Sequence, residues 1–202
     1  MNGAWKVAIK RVLQGIFLIL AFPIALLSAF GRLESIYLMF AQFCALVPGL
    51  PGDYLRIAYY KLVLTECTLE SRIQLGSFFA HPQAKVGRLV YIGSYCVLGR
   101  TQIGDRTQIA SAVQILSGRR QHGRDNEGRI QGSEAGLFQS VSIGADCWIG
   151  AGAIVMANVG AGSTIGAGSV VVESVPPGAV AVGSPARIVR TSTGPKETGP
   201  PG

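Results

Sequence analysis

Residues 141–168 read V-S-I-G-A-D-C-W-I-G-A-G-A-I-V-M-A-N-V-G-A-G-S-T-I-G-A-G. Ile143, Ile149 and Val155 fall six apart, and Ile165 and Val171 repeat the step. A helix repeats every 3.6 residues and an isolated strand every two, so neither explains a period of six. The period suits a strand of about three residues, a tight turn, and a further short strand at an angle. Three such units close a triangular coil. Stacked coils form a parallel β-helix whose aliphatic residues point inward. Gly, Ala and Ser fill the corners, where the chain bends and Cβ atoms would collide. The interval from Val155 to Ile165 is shorter than two full units, so the rhythm slips there.

The same beat runs upstream. From Cys67 it is loose. Val86, Ile92 and Leu98 then step by six, and Ile103, Ile109 and Ile115 do so again after a one-residue slip. Residues 117–140 break the pattern: S-G-R-R-Q-H-G-R-D-N-E-G-R-I-Q-G-S-E-A-G-L-F-Q-S. A long polar loop within a compact repeat costs ordering entropy and is usually functional or disordered. The coils end at V175-P-P-G-A-V-A-V-G-S-P-A-R-I-V-R190, where Pro176, Pro177 and Pro185 are expected to close the stack. Residues 191–202 are rich in Gly, Pro and Thr and read as a disordered tail.

The N-terminal third has a different composition. Lys6, Lys10 and Arg11 precede a charge-free run, V12-L-Q-G-I-F-L-I-L-A-F-P-I-A-L-L-S-A-F-G31. Twenty such residues are long enough to cross a hydrocarbon core of about 30 Å as a helix, although Pro23 weakens a straight span. A second charge-free stretch runs from Ser35 to Gly52. Together they read as a hydrophobic helical hairpin that dips into or crosses a membrane. Basic residues flank both ends (Lys6, Lys10 and Arg11, then Arg56 and Lys61). The other readings are a cleaved signal peptide, which lacks an A-x-A site, a single span, and apolar helices that cover the open end of the β-helix or an oligomer interface. Asp53 is an expected N-cap for a helix from Tyr54 to about Leu64. Leu55, Ala58, Tyr59, Leu62 and Val63 would form its apolar stripe. The chain thus divides into a membrane-associated hairpin and amphipathic helix (1–66), a β-helix domain with an inserted loop (67–190, loop 117–140), and a tail (191–202).

Bulk properties narrow the function. The 202 residues suffice for one domain and an appendage, and 27 glycines are here periodic rather than low-complexity. The net charge of +7 suits either a solvated surface or an anionic partner such as a membrane, a phosphate-bearing cofactor or a lipid phosphate. Neither zinc-finger spacing nor a basic helix points to nucleic acid. Cys44, Cys67, Cys96 and Cys147 have no paired spacing and read as buried free thiols of a reducing compartment. Of the two histidines, His122 lies in the polar loop and is a candidate general base; His81, in F-F-A-H-P-Q, reads as a corner residue bonded to backbone. Asp125 and Glu127 are available to pair with neighbouring arginines or to orient His122. Trp148, a large ring among small residues, must project outward or fill an interface.

The motifs V141-S-I-G-A-D-C-W-I-G-A-G-A153, I165-G-A-G-S-V-V171 and V175-P-P-G-A-V-A-V-G-S-P-A-R-I-V-R190 resemble the hexapeptide-repeat acyltransferases, nearest the galactoside, maltose and polysaccharide O-acetyltransferases. The resemblance covers residues 86–190. It implies a mainly β fold, a left-handed parallel β-helix of hexapeptide repeats, here with an N-terminal hydrophobic helical segment. The left hand comes from the resemblance alone, since the general crossover rule favours right-handed coils. It also implies a homotrimer with acetyl-CoA, or another acyl-CoA, in the groove between neighbouring chains. His122 matches the family's base and the amide of Ala151 its oxyanion donor. Trp148 matches the tryptophan near the groove, and Ala167 a backbone position beside the pantetheine arm. Arg187 and Arg190 match basic residues that meet the CoA phosphates. Two features depart from the pattern. Val172-Glu173-Ser174 stands where relatives often carry Lys, and Gly93 falls near the sugar enzymes' acceptor-side asparagine. Two histidines cannot supply the three that zinc-dependent β-helix enzymes use, so no metal is expected.

The implied activity is acyl transfer from acetyl-CoA to a hydroxyl of a sugar, or of a polysaccharide or lipid-linked glycan precursor. The cytoplasmic side of the inner membrane is the expected place, with the cytoplasm as the alternative. A non-catalytic trimeric scaffold docked on the membrane and an amino-sugar N-acyltransferase are the competing readings.

Overall fold

A computed structural model describes residues 4–118, 123, 125–132 and 139–191. Three helices come first: α1 (Ala4–Leu27), α2 (Glu34–Leu46) and α3 (Gly49–Val63). Short strands follow: β1 (Arg72–Ile73), β2 (Phe78–Phe79), β3 (Lys85–Val86), β4 (Tyr91–Ile92), β5 (Val97–Leu98), β6 (Thr101–Ile103), β7 (Gln108–Ile109) and β8 (Gln114–Ile115). Beyond the loop come β9 (Val141–Ile143), β10 (Trp148–Ile149), β11 (Ile154–Val155), β12 (Thr164–Ile165), β13 (Val170–Val171), β14 (Val180–Val182) and β15 (Arg187–Arg190).

The strands stack as three parallel faces, which is a parallel β-helix. Face one orders β1-β4-β7-β10-β12-β14, face two β2-β5-β8-β11-β13, and face three β3-β6-β9. In register on face one, Ile73, Ile92, Ile109, Ile149, Ile165 and Ala181 form one buried column. Phe79, Leu98, Ile115, Val155 and Val171 form a second. The period of six therefore reports burial: one inward aliphatic per face, with polar or small residues at the bends.

The slip after Val155 has a structural reason. Face three is crossed in four residues, from Val155 to Val159 and again from Val171 to Val175. Single bridges join Ile143 to Val159 and Val159 to Val175 in place of strands. The late coils are thus sixteen residues long, as from Ile149 to Ile165. At this tight corner the Asn158 side-chain carbonyl accepts the Ser142 N–H at 2.9 Å, a bond the shortened ladder does not supply. Pro176 and Pro177 do not end the stack. Val175, Ala179 and Ala181 remain buried around them. The end is the antiparallel return of β15 onto β14.

Two kinds of glycine shape the coils. A Cβ on Gly150 would collide with the amide of Ala167 in the next coil, so close stacking requires glycine there. Gly168 has open space but a φ of 67°, a left-handed turn conformation that other L residues adopt at a cost.

The helices plug the open end of the first coil. Tyr37, Tyr59, Tyr60 and Phe79 are fully buried and pack ring on ring, with centroids 5.1–6.1 Å apart. The Tyr37 hydroxyl donates to the Phe79 carbonyl at 2.9 Å, and the Phe79 N–H donates to the Tyr60 hydroxyl at 3.2 Å. These bonds occupy the strand-edge groups that no preceding coil covers.

Asp53 does not cap a helix beginning at Tyr54. Helix α3 starts at Gly49, and Pro51 fits its first turn, where N–H groups have no helical partner anyway. Asp53 lies one turn in and accepts from Arg56 at 2.6 Å, Arg72 at 2.8 Å and Gln74 at 3.0 Å. Arg56 is fully buried. Its guanidinium also donates to the carbonyls of Ile73 (2.8 Å), Cys44 (3.1 Å) and Val47 (2.7 Å). One cation therefore caps the C-terminal end of α2 and ties α3 to the first coil.

The second apolar stretch is not one arm of a simple hairpin. It divides into α2 and the first turn of α3, and α2 packs against β2. Among the described residues one helix is long and apolar enough to cross a membrane, Trp5–Leu27, and it continues through Pro23. All four cysteines are buried and free. Burial pushes the Cys44 and Cys67 thiols up to about 12, which keeps them protonated.

Candidate active site

Outward positions on face one repeat immediately before the inward aliphatic. Tyr91, Gln108 and Trp148 are consecutive in the ladder and in register. Adjacent strands lie about 4.8 Å apart, so the two rings stand roughly 10 Å apart with the Gln108 amide between them. With Ile109 and Ala110 they line a cavity of about 180 Å³. Trp148 is 53% exposed, so it projects outward as expected. Sequence reading singled out Trp148 but missed Tyr91 and Gln108. The signal was the shared position before the inward Ile in Y-I-G, Q-I-A and W-I-G.

The next corner, where face one turns into face two, holds two further expected residues. Ala151 and Ala167 stack on adjacent coils, and the Gly168 N–H donates to the Ala151 carbonyl at 2.8 Å. The Gly152 N–H donates back to Ser111 at 3.0 Å. These bonds hold the corner rigid. The amides of Ala151 and Ala167 themselves meet no acceptor among the described residues, and both residues are exposed. An N–H held by a rigid turn and left without a partner is ready to donate to a developing oxyanion or a ligand carbonyl.

Arg187 reaches the far end of the same edge. It pairs with Val182, whose Cγ1 lies 2.7 Å from where a Cβ on Gly166 would stand. Arg190 pairs with Val180, at the other end of β14. Both arginines are exposed. Ala151, Ala167 and Arg187 thus share one edge, while the register runs from Trp148 through Thr164 and Val180 to Arg190 at the other end of the face. Glu173 is exposed just beyond β13.

His122, the expected base, lies outside the described residues. The described ends of the loop meet, where the Gln139 N–H donates to the Ser117 carbonyl at 3.0 Å. Asp125 builds a turn, accepting the N–H groups of Glu127 and Arg129 at 2.9 Å each, and Glu127 pairs with Arg129 at 2.7 Å. Asp125 and Glu127 therefore pair locally. His81 sits at the corner after β2, where burial lowers its pKa, Arg100 adds to the effect and Glu34 opposes it. Among the described residues no cluster of three His, Cys, Asp or Glu side chains could hold a metal.

This parallel β-helix of short stacked strands is the fold of the hexapeptide-repeat acetyltransferases. A maltose O-acetyltransferase from Clostridium difficile 630 superposes with a TM-score of 0.65 at 23% identity, over 79% of this chain and 88% of that one. A hexapeptide-repeat acetyltransferase from Vibrio cholerae O1 biovar eltor, complexed with acetyl coenzyme A, matches 95% of this chain and 92% of its own length. Its TM-score is 0.52 at 20% identity. In sequence, Nodulation protein L of Rhizobium leguminosarum bv. viciae is 50% identical over 109 residues, 52% of this chain and 55% of that protein. The chain thus spans about half the length of the curated relatives it matches. No family model matches it. The resemblance read from residues 86–190 is the one these relatives bear out.

Proposed function

We propose that this protein is an acyl-CoA-dependent O-acyltransferase, with acetyl-CoA as donor and a hydroxyl of a sugar or of a polysaccharide or lipid-linked glycan precursor as acceptor. The observation that carries the reading is the pair of stacked amides at Ala151 and Ala167, which meet no acceptor among the described residues, on the edge that also bears Arg187. The solved relatives named for acetyl transfer support it. The coils wind left-handed, and three chains assemble so that each groove lies between neighbours. The acceptor rests against Tyr91, Gln108 and Trp148, since aromatic faces suit the apolar faces of sugar rings and an amide suits their hydroxyls.

His122 takes the proton of the acceptor hydroxyl. The oxygen bonds to the thioester carbonyl carbon, and the Ala151 N–H donates to the oxygen that gains charge. Such a preorganised donor is worth several kcal/mol, about 3–4, in a dry site. The carbon–sulfur bond breaks, and His122 returns its proton to the departing thiolate. Ala167 donates to the pantetheine arm, and Arg187 and Arg190 meet phosphates. Glu173 supplies a negative charge where relatives often have Lys, so phosphate binding rests on the two arginines. The enzyme works at the cytoplasmic face of the inner membrane, with α1 as the contact.

The test is thiol release from acetyl-CoA by the purified chain across glycan acceptors. His122→Ala should lower turnover by about 10²–10⁴-fold. Unchanged turnover removes His122 from the mechanism, and no thiol release with any acceptor, together with no stabilisation by acetyl-CoA, leaves the scaffold reading.

A further inference from the structure

Helix α1 has two faces with separate partners. Gln14, Ala21, Ala25 and Ser28 fall on one side at a 100° step, and this side is docked. Gln14 donates to the Leu69 carbonyl at 2.7 Å, Phe17 stacks on Tyr54 at 5.6 Å, and Ala21 and Ala25 are fully buried. The opposite side carries Trp5, Val12, Ile16, Ile19, Leu26 and Leu27, all exposed and all apolar. Lys6 and Arg11 fall on its two edges and are exposed. No acidic residue occurs before Glu34.

We propose that α1 is an in-plane anchor. It lies along an anionic lipid surface with this apolar face sunk among the acyl chains, and it stays docked on α3 without crossing the bilayer. Three observations carry the choice of occupant. Trp5, Lys6 and Arg11 cluster at the N-terminal end of the apolar stripe and are exposed, placed to meet anionic headgroups while the stripe rests among acyl chains. The complete lack of acidic residues over α1 complements anionic lipid. The docked side opposes a span. Crossing would strip Gln14 from Leu69 or drag α3 and its Asp53–Arg56 pair into hydrocarbon, where charges are costly. This inference rests on the membrane part of the reading above and is independent of acyl transfer.

The full chain should cosediment with phosphatidylcholine vesicles containing phosphatidylglycerol, and much less with phosphatidylcholine alone or at high salt. Ile16→Glu with Ile19→Glu should lower the partition coefficient by at least ~10-fold. Thiol release with a soluble acceptor should stay unchanged, so loss of docking and loss of catalysis are read separately. A protease site placed before Met1 should stay open to protease added outside the vesicles. Three results overturn the proposal: no binding to anionic vesicles, protection of that site (a span), or a lipid-free dimer of trimers that the double substitution dissolves (a second copy on the face).

Discussion

The coils and the helical plug bury apolar surface by opposite means. In the coils each residue type has one task repeated on every turn, and the core is built of columns that are mostly Ile, Leu and Val. In the plug the core contains a cation and three tyrosines, all with little or no exposure. A coil is covered above and below by its neighbours, so its backbone groups pair along the ladder. The first coil has no neighbour below. Its carbonyls and amides at Ile73 and Phe79 must find side-chain partners, and Arg56, Tyr37 and Tyr60 supply them. The end of a repeat array needs polar chemistry that its middle does not.

The largest effect should come from the plug. Arg56→Ala leaves Asp53 half-paired in a buried site and leaves the carbonyls of Ile73, Cys44 and Val47 without the guanidinium. A loss of about 3–5 kcal/mol is expected in urea unfolding, with α2 loosening first by hydrogen exchange. A loss below 1 kcal/mol would mean that the ring cluster alone holds the plug. Gly150→Ala comes next, at about 1–3 kcal/mol, because the new methyl group must push Ala167 and its coil away. Gly168→Ala meets no atom and should cost only about 1 kcal/mol, from left-handed backbone strain. Equal costs at the two glycines would break the distinction between stacking and turning positions.

A smaller, pH-dependent effect falls at the junction of the two regions. Burial lowers the pKa of His81, so below about 6.5 the unfolded chain binds more protons than the folded one. Stability should therefore fall as pH drops through that range. His81→Gln should flatten the profile of melting temperature against pH, and an unaltered profile would assign the dependence elsewhere. The smallest effect is on the coil surface. Arg106 pairs with Asp146 at 2.6 Å across two coils, but both side chains are more than half exposed. Arg106→Gln should leave the melt unchanged within error.

The stack was legible because its physics is local and repeated. Ile143, Ile149 and Val155 occupy equivalent places, and the spacing reports them directly. Trp148 was legible as an outward ring for the same reason. The four-residue crossing at Val159 was visible only as a slip, since nothing local says which face is shortened. Asp53 was misread because a short acid before an apolar run looks like a cap. Its partners Arg72 and Gln74 lie 19 and 21 residues away and meet it only when the first coil closes.

The sequence by itself determined the repeat, its inward columns, the placement of the polar loop and the apolar character of the first helix. All of these follow from spacing and composition. Tertiary structure decided what the helices do. Burying Arg56 and three tyrosines is unfavourable unless distant backbone groups receive their hydrogen bonds, and those groups exist together only at the open end of a finished β-helix.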